Sequence, residues 1–456
     1  MKFLSIPIIL IILSSCATFY QANYEFNRSV ELGNIDNAYN ALLENRKAMK
    51  RKAKFLYHAN RGLLLFLQGE YERSNQVLEK AYILGEDYQK NYLDVTASFL
   101  TNPNRIEYAG EDHEHLLLLY YKALNYLKLE NYVSALVECR RLNLRLQSLS
   151  EKYKSEKRYS QDAFIHNLMG IIYDASGDKS NAYVAYKNAV EIYETDYQSF
   201  FNLQVPLQLK KDLLRVAYLN GFDSDLEYFE QKFELKHQPS ESKGGELIYF
   251  WHNGLSPIKA EWSVNFVTSE SGGGGVIFAN DELGLQFPFF NQNSNTSNSD
   301  ISDLEVFRVA FPKYVERKPL FDQAMIELNT KTVELEIAED INAIAFKTLK
   351  ERMVWEMSKS LLRAALKKSL EEQLEKKNEG LGLALGIFNA VTEKADTRNW
   401  QTLPHSIFYA RIQLEEGENQ VKLNMKNTAN SYQKIETFIF EGRPGKTVFH
   451  AFQTLY

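Results

Sequence analysis

Few side chains in this 456-residue chain combine the types and spacing that chemistry needs. His113-Glu114-His115 follows Glu111-Asp112 at the entrance to an apolar helical stretch. Histidines two apart on a helix point in different directions, and the His-Glu-x-x-His spacing that sets two ligands on one face is absent. The acidic residues there read as first-turn charges favoured by the helix dipole. Gly272–Gly275 is followed by Val276 without the Lys-Ser/Thr that closes a phosphate loop, so it reads as a plain loop. Neither a Gly-x-Ser-x-Gly turn nor a Cys-x-x-Cys pair occurs. Paired carboxylates for glycoside cleavage need no fixed spacing, and no pair is singled out. Arg140 and Arg141 could offer planar donors to a partner's carboxylates, which makes them candidate partner-binding residues. The cysteines are Cys16 and Cys139. Cys139 falls at a helix-packing position and reads as a structural thiol. Cys16 stands after a basic start at Lys2, an apolar run from Phe3 to Leu13 and the small residues Ser14-Ser15. That is the grammar of a secretory signal, and the run is too short to span a bilayer.

Leu13-Ser14-Ser15-Cys16 resembles the lipobox of bacterial lipoproteins. The resemblance implies that Cys16 carries acyl chains and becomes the new amino terminus. With each buried CH₂ worth about 0.8 kcal/mol, several chains make a lasting anchor. Ala17 stands where an inner-membrane retention signal would place aspartate, which implies an outer-membrane lipoprotein facing the periplasm.

A net charge of −6 provides no field for nucleic acid. The aromatic content of 13% is too high for disorder. From Phe19 to Phe233 the apolar residues recur at helical spacing with almost no proline. Gly62, Ala123 and Gly170 are followed by the small residues Ser74, Ala135 and Ala182, then by Ala81, Leu142 and Ala189, at constant offsets. The turns Gly69-Glu70-Tyr71, Glu130-Asn131-Tyr132 and Gly177-Asp178-Lys179 fall between them. This register resembles the tetratricopeptide repeat (TPR), a helical hairpin whose small residues let two helices approach closely. Phe26, Gly33 and Ala38 suggest a degenerate first copy, and Asn220-Gly221 a last one. The copies do not recur at the ~34-residue TPR period, so insertions separate them.

Pro, Ser, Lys and Gly at Gln238–Gly245 read as a linker. Beyond it, strands are expected at Leu247–Trp251, Ala260–Val267, Leu304–Phe311, Met325–Leu328 and Thr332–Ile337, and again at Ile407–Leu414, Val421–Met425, Ile435–Phe440 and Val448–Phe452. Helical spacing returns from Glu339 to Lys377, and a second helix is expected over Leu381–Lys394. Gly380–Gly386 there reads as a packing seam or a contact surface. The expected fold is α+β: a signal over 1–15, a TPR-like all-α domain over 16–237, a linker over 238–245, and an antiparallel β-sandwich-like unit over 246–338 and 398–456, interrupted by a helical hairpin over 339–397. Asp396, Arg398 and Trp400 read as a structural anchor where the chain returns to the β unit.

Tyr108–Glu114, Tyr121–Leu127 and Val137–Leu142, together with Thr392–Trp400 and Leu403-Pro404, resemble an uncharacterised family of bacterial envelope lipoproteins with TPR-like N-terminal halves. The chain departs from that pattern at Cys139, where the family has a small residue, and at Asn399, where it has serine. The resemblance brings no established reaction, cofactor or ligand; no metal site is expected from the residues. The expectation is a non-enzymatic lipoprotein, held to the membrane by its lipid, whose repeat groove docks another envelope protein. The alternative is a carbohydrate- or peptidoglycan-binding lipoprotein using Tyr249, Trp251 and Trp262 of the β unit.

Overall fold

The structure is a computed structural model that describes residues 18–45, 52–91, 106–153, 161–239, 243–271, 275–282, 284–290, 306–375 and 395–456. The signal with Cys16, residues 272–274, the expected second helix over Leu381–Lys394 and the Gly380–Gly386 seam lie outside the described residues.

The N-terminal part is a row of helical hairpins. A short helix α1 (Phe19–Ala22) precedes the pairs α2 (Tyr24–Glu31) with α3 (Ile35–Glu44) and α4 (Lys54–Leu67) with α5 (Tyr71–Asn91). Then come α6 (Asp112–Lys128) with α7 (Tyr132–Tyr153), α8 (Ala163–Ala175) with α9 (Lys179–Ile192), and, after a π-helical turn and the short α10 (Gln198–Phe201), α11 (Leu207–Leu219) with α12 (Asp223–Phe233). Each turn needs one residue in the left-handed region. Gly33, Gly69, Gly177 and Gly221 supply it without a Cβ penalty, whereas the middle hairpin uses Glu130 at φ 54°. The small residues do what their spacing requires. Ser74 donates to the Gly62 carbonyl at 2.7 Å, and a methyl group built on Gly62 would run into Leu78. A methyl group on Gly170 would sit inside the Tyr186 ring.

The C-terminal part contains β1 (Glu246–Asn253), β2 (Ile258–Ser271), β3 (Gly275–Asn280), β4 (Leu285–Phe290), β5 (Val306–Val315), β6 (Gln323–Leu328), β7 (Lys331–Glu334) and β8 (Glu336–Asp340). The long helix α13 (Ile341–Glu375) follows, then β9 (Ser406–Gln413), β10 (Gly417–Lys426), β11 (Gln433–Gly442) and β12 (Thr447–Thr454). They form four-stranded sheets of order β12-β1-β9-β8, β11-β10-β6-β7 and β4-β3-β2-β5.

Several expectations are corrected here. The sheets are not all antiparallel: β1 and β12 pair in parallel, Glu246 opposite Thr447 through Asn253 opposite Thr454. The first and last strands of the unit thus meet side by side, which only a long connection permits. The segment expected as one strand over Thr332–Ile337 changes sheets at buried Leu335, whose amide bonds the Ala324 carbonyl at 3.0 Å. Glu339, expected to start the helix, sits in β8 beside a bulge. The end of the expected linker is already fixed, because Gly244 donates to the Leu414 carbonyl and Leu414 to that of Gly245, at 3.1 and 3.0 Å.

Alternation along β1 shows how the layers stack. Leu247, Tyr249 and Trp251 share an apolar cluster with Ile326 of β6 and with Val421, Leu423 and Met425 of β10. Ile248 and Phe250 belong instead to the cluster of the helical hairpins. The first sheet is therefore covered on both faces, by helices on one and by the second sheet on the other. The third sheet packs separately, with Met357 and Leu361 of α13 lying against Val264, Phe266, Phe278, Val309 and Phe311.

Gly170→Ala should lower stability by about 1–3 kcal/mol, the usual cost of overpacking a filled contact. Urea unfolding measures it, and an unchanged midpoint would mean that the Tyr186 ring yields without cost.

Candidate functional site

The face of a repeat array that usually receives a partner is lined by the first helix of each hairpin, and here the chain's own first sheet covers it. Helix α6 carries apolar side chains all round (Leu116–Tyr121, Ala123, Leu124 and Leu127 are buried), as a helix covered on every side must. Successive hairpins each reach the β unit. In α4, Asn60 accepts from the Thr402 hydroxyl at 2.7 Å. In α6, the Tyr120 and Tyr121 hydroxyls lie 2.9 and 3.4 Å from the two ring nitrogens of His252 in β1, and Lys128 donates to the Phe449 carbonyl of β12 at 3.0 Å. From α8, Phe164 meets the Phe250 ring edge-on, with centroids 6.2 Å apart. Beyond α9, Tyr193 donates to the Ala338 carbonyl at 2.7 Å and Tyr197 to Glu339 at 2.9 Å.

Two buried charge clusters fasten this interface. In the first, Arg411 of β9 lies 3.0 Å from Asp174 of α8, 2.9 Å from Asp212 of α11 and 2.5 Å from Glu246 of β1. Its approach to Asp212 is a charge contact rather than an aligned hydrogen bond. Arg411 also donates to the Tyr186 hydroxyl at 3.1 Å. Arg215 and Lys179 complete the set on Asp174. Burial opposes ionisation of Asp174, yet Arg411, Arg215 and Lys179 hold its carboxyl well below the usual range. Burial wins at Asp212 and raises its pKa. Three cations thus meet three carboxylates, which lets a group as costly as a buried guanidinium remain charged.

The second cluster sits at the start of α6. Glu111 caps the helix and pairs with Lys259 of β2 and Arg352 of α13. Although burial resists it, these cations hold Glu111 far below the ordinary carboxyl range. Glu114 accepts from the Tyr108 hydroxyl and the Glu111 amide, both at 2.9 Å, and from the Trp400 amide at 2.6 Å. Burial, then the neighbouring Glu111 charge, push Glu114 up to about 7. His113 and His115 point apart, the first toward Tyr314 and the second toward Phe55 with its Nε2 on the Ala109 carbonyl at 2.7 Å.

The sequence candidates fall as follows. Arg141 is committed inside the repeat, to Glu79 and Glu138 at 3.4 Å each, whereas Arg140 stays on the outer helix face and donates to the Tyr173 hydroxyl at 3.1 Å. Asp396 and Arg398 pair at 2.7 and 2.8 Å. Arg398 also donates to the Lys52 and Ile106 carbonyls, at 2.6 and 3.0 Å, and Trp400 is buried. Tyr249 and Trp251 are 0% exposed between the sheets, so they cannot stack on a sugar. Trp262 is half-buried beside the third-sheet core. What the sequence reading missed is Arg411, Lys259 and the ion pairs of Glu111, which it had placed at the helix start as a charge favoured by the dipole. Arg411 had a visible signal: it occupies the helix-facing parity of Ile407, Tyr409 and Arg411 in a strand that is otherwise apolar at those positions.

No family model and no curated protein matches the chain. Among solved structures it is similar to MamA at 15% identity, covering 45% of this chain and 91% of that one with a TM-score of 0.29. It is also similar to MamA 41-end from Desulfovibrio magneticus RS-1 (18% identity, 46% and 90%, 0.30) and to the apo form of RapI (14%, 50% and 56%, 0.34). At these scores the likeness carries no argument, and the repeat assignment rests on the hairpins themselves.

Arg411→Ala should cost about 3–5 kcal/mol, because it strands buried carboxylates. Chemical unfolding checks it, and a loss under 1 kcal/mol would show the cluster to be dispensable. Acid should also destabilise the protein. Burial holds His113, His252 and His450 down to about 3, so they stay neutral when folded but take up protons near 6.5 when unfolded. Each contributes stability that is present above pH 6.5 and is lost, at up to about 1.4 kcal/mol per unit, as pH falls toward 3. Glu114 acts oppositely between its ordinary 4.5 and about 7. Burial likewise raises Glu339, Asp196, Asp212 and Asp340, but it also lowers His58, His115, His166 and His237. With seven lowered histidines against five raised carboxyls, the unfolding free energy should fall from pH 7 to 5, and a rise on acidification would show that the raised carboxyls dominate.

Proposed function

We propose that this protein is a non-enzymatic interaction scaffold, tethered to the outer membrane through acylated Cys16 and facing the periplasm, where it docks another protein in cell-envelope assembly or maintenance. The observation that carries the scaffold reading is the fastening of repeat to sheet. Filling the first-helix face locks both halves into one body, and the buried charge clusters serve that union. The groove is therefore not the docking surface. The second helices of the hairpins remain outward, and α7 exposes Val133 (74%), Val137, Leu144 (65%) and Arg140 along one stripe, with Ile83 on α5 and Val184 on α9 beside it in the row. Unpartnered apolar side chains at helical spacing are what a partner's apolar surface would cover.

The tether rests on the lipobox resemblance of Leu13–Cys16 and is tested apart from the scaffold. The full chain should take up labelled palmitate and fractionate with outer membranes, and Cys16→Ala should do neither. Label uptake by Cys16→Ala would remove the anchor from the proposal. For the scaffold, crosslinking in intact membranes should capture a stoichiometric protein with the native chain. Val133→Glu with Leu144→Glu should lose that partner at an unchanged melting temperature. Equal capture by native and doubly substituted chains would move the docking surface off α7.

A further inference from the structure

The edges of the sheets differ in how they are closed. A free edge strand offers unpaired backbone donors and acceptors to any other strand, and proteins blunt it with proline, bulges, short length, charge or a covering element. β4 contains Pro288 and β5 contains Pro312. β7 is four residues long and begins with Lys331, and β8 is broken by its bulge and covered at the Ala338 carbonyl by Tyr193. β12 lies against α6, whose Lys128 takes the Phe449 carbonyl. β11 has no proline, no bulge and, among the described residues, no covering element; its charges are Lys434 and Glu436, which pair at 3.0 Å on the face of Phe438, and Glu441 near its end. The strand runs ten residues in unbroken register with β10, from Gly442 opposite Gly417 to Gln433 opposite Lys426. Among the described residues no other strand pairs with its outer edge.

Its side chains are also unusual for an open edge. Phe438 and Phe440 turn inward to the core shared with the first sheet, and Gln433, Ile435, Thr437, Ile439 and Glu441 turn outward. Ile435 and Ile439 are 55% and 64% exposed. They lie symmetrically about Thr437.

We infer that β11 is a self-association edge at which two copies of this chain pair their β11 strands antiparallel about a two-fold axis through Thr437. In that register Ile435 of each copy faces Ile439 of the other, Thr437 faces itself and Gln433 faces Glu441, and opposite residues share a face as antiparallel pairing demands. No like charges stand directly opposite. Centring on Glu436 would oppose two glutamates, and centring on Phe438 would set each Ile435 against Glu441. Cross-strand apolar and threonine pairs favour the symmetric register. The contact is isologous and closes on itself, so it ends at a dimer and does not run on to fibres. The two β11-β10-β6-β7 sheets would join into one continuous sheet.

The test uses the full chain in its membrane. Thr437→Cys treated with a short bismaleimide should give a band at twice the chain mass, well above the unsubstituted protein, in which Cys139 is buried. Ile435→Cys, whose opposite residue is 439, should give several-fold less. Sedimentation of the detergent-extracted protein should show dimers. Ile435→Lys with Ile439→Lys, both at exposed sites, should weaken the dimer by roughly tenfold or more at an unchanged melting temperature. A monomeric native chain, absent Thr437→Cys crosslinking, or a dimer indifferent to the double lysine variant would each overturn the inference. A strand from another protein on this edge would appear as the first of these results.

Discussion

Arg411 is the point on which the two halves of the molecule depend. A guanidinium at the centre of a sheet is tolerable only where carboxylates and acceptors surround it, and those come from three separate parts of the chain: Asp174 and the Tyr186 hydroxyl from one helical hairpin, Asp212 from the next, and Glu246 from the adjacent strand. None of these parts satisfies the charge alone. The sheet cannot present its helix-facing side to water without baring Ile248, Phe250 and Tyr409, and the hairpins cannot separate from it without stranding Asp174 and Asp212. A paired buried charge adds less to net stability than to the uniqueness of the arrangement, because every misdocked alternative leaves it unpaired. That is how two halves with large apolar faces settle into one register.

The same constraint changes what a helical repeat means here. Repeat arrays commonly keep one face open for partners. In this chain that face is an interior, and its residues have the composition of an interior: the Leu116–Tyr121 run is apolar on every side of the helix. The second cluster, around Glu111 and Glu114, repeats the design at the other end of the contact, joining α6 to β2, α13 and the segment that carries Trp400. Perturbed acids in a protein often mark reactive sites. Here the shifts have an architectural cause: Glu111 and Glu114 are capping residues of a helix whose start is covered by two other elements.

The sequence showed what is local and concealed what is not. Hairpins were legible because the small-residue offsets and turn glycines that build them lie within a few tens of residues. The parallel pairing of β1 with β12 had no local signal, since it joins residues two hundred apart. The run Leu247-Ile248-Tyr249-Phe250-Trp251 did carry a signal that a sugar-binding reading overlooked. An unbroken apolar run marks a strand buried on both faces, not one with a wet side. Its aromatics were core for that reason. The switch of sheets at Leu335 was hidden because alternation continues through it. Arg140 and Arg141 are adjacent in sequence but lie on different helix faces, so Arg141, half-buried, pairs with Glu79 and Glu138 while Arg140 stays exposed.

An occupied groove also bears on how a partner could act. To enter the first-helix face, a peptide would have to displace a sheet held there by the same chain, at the high effective concentration that covalent linkage imposes. It would further have to replace the neutralisation that Arg411 gives Asp174 and Asp212 and that Lys259 and Arg352 give Glu111. A ligand shifts an equilibrium only by its differential affinity for the two states, and here the displaced state carries buried charges newly unpaired. The outward helices make no such demand. Their exposed side chains can be covered while every internal pair stays in place.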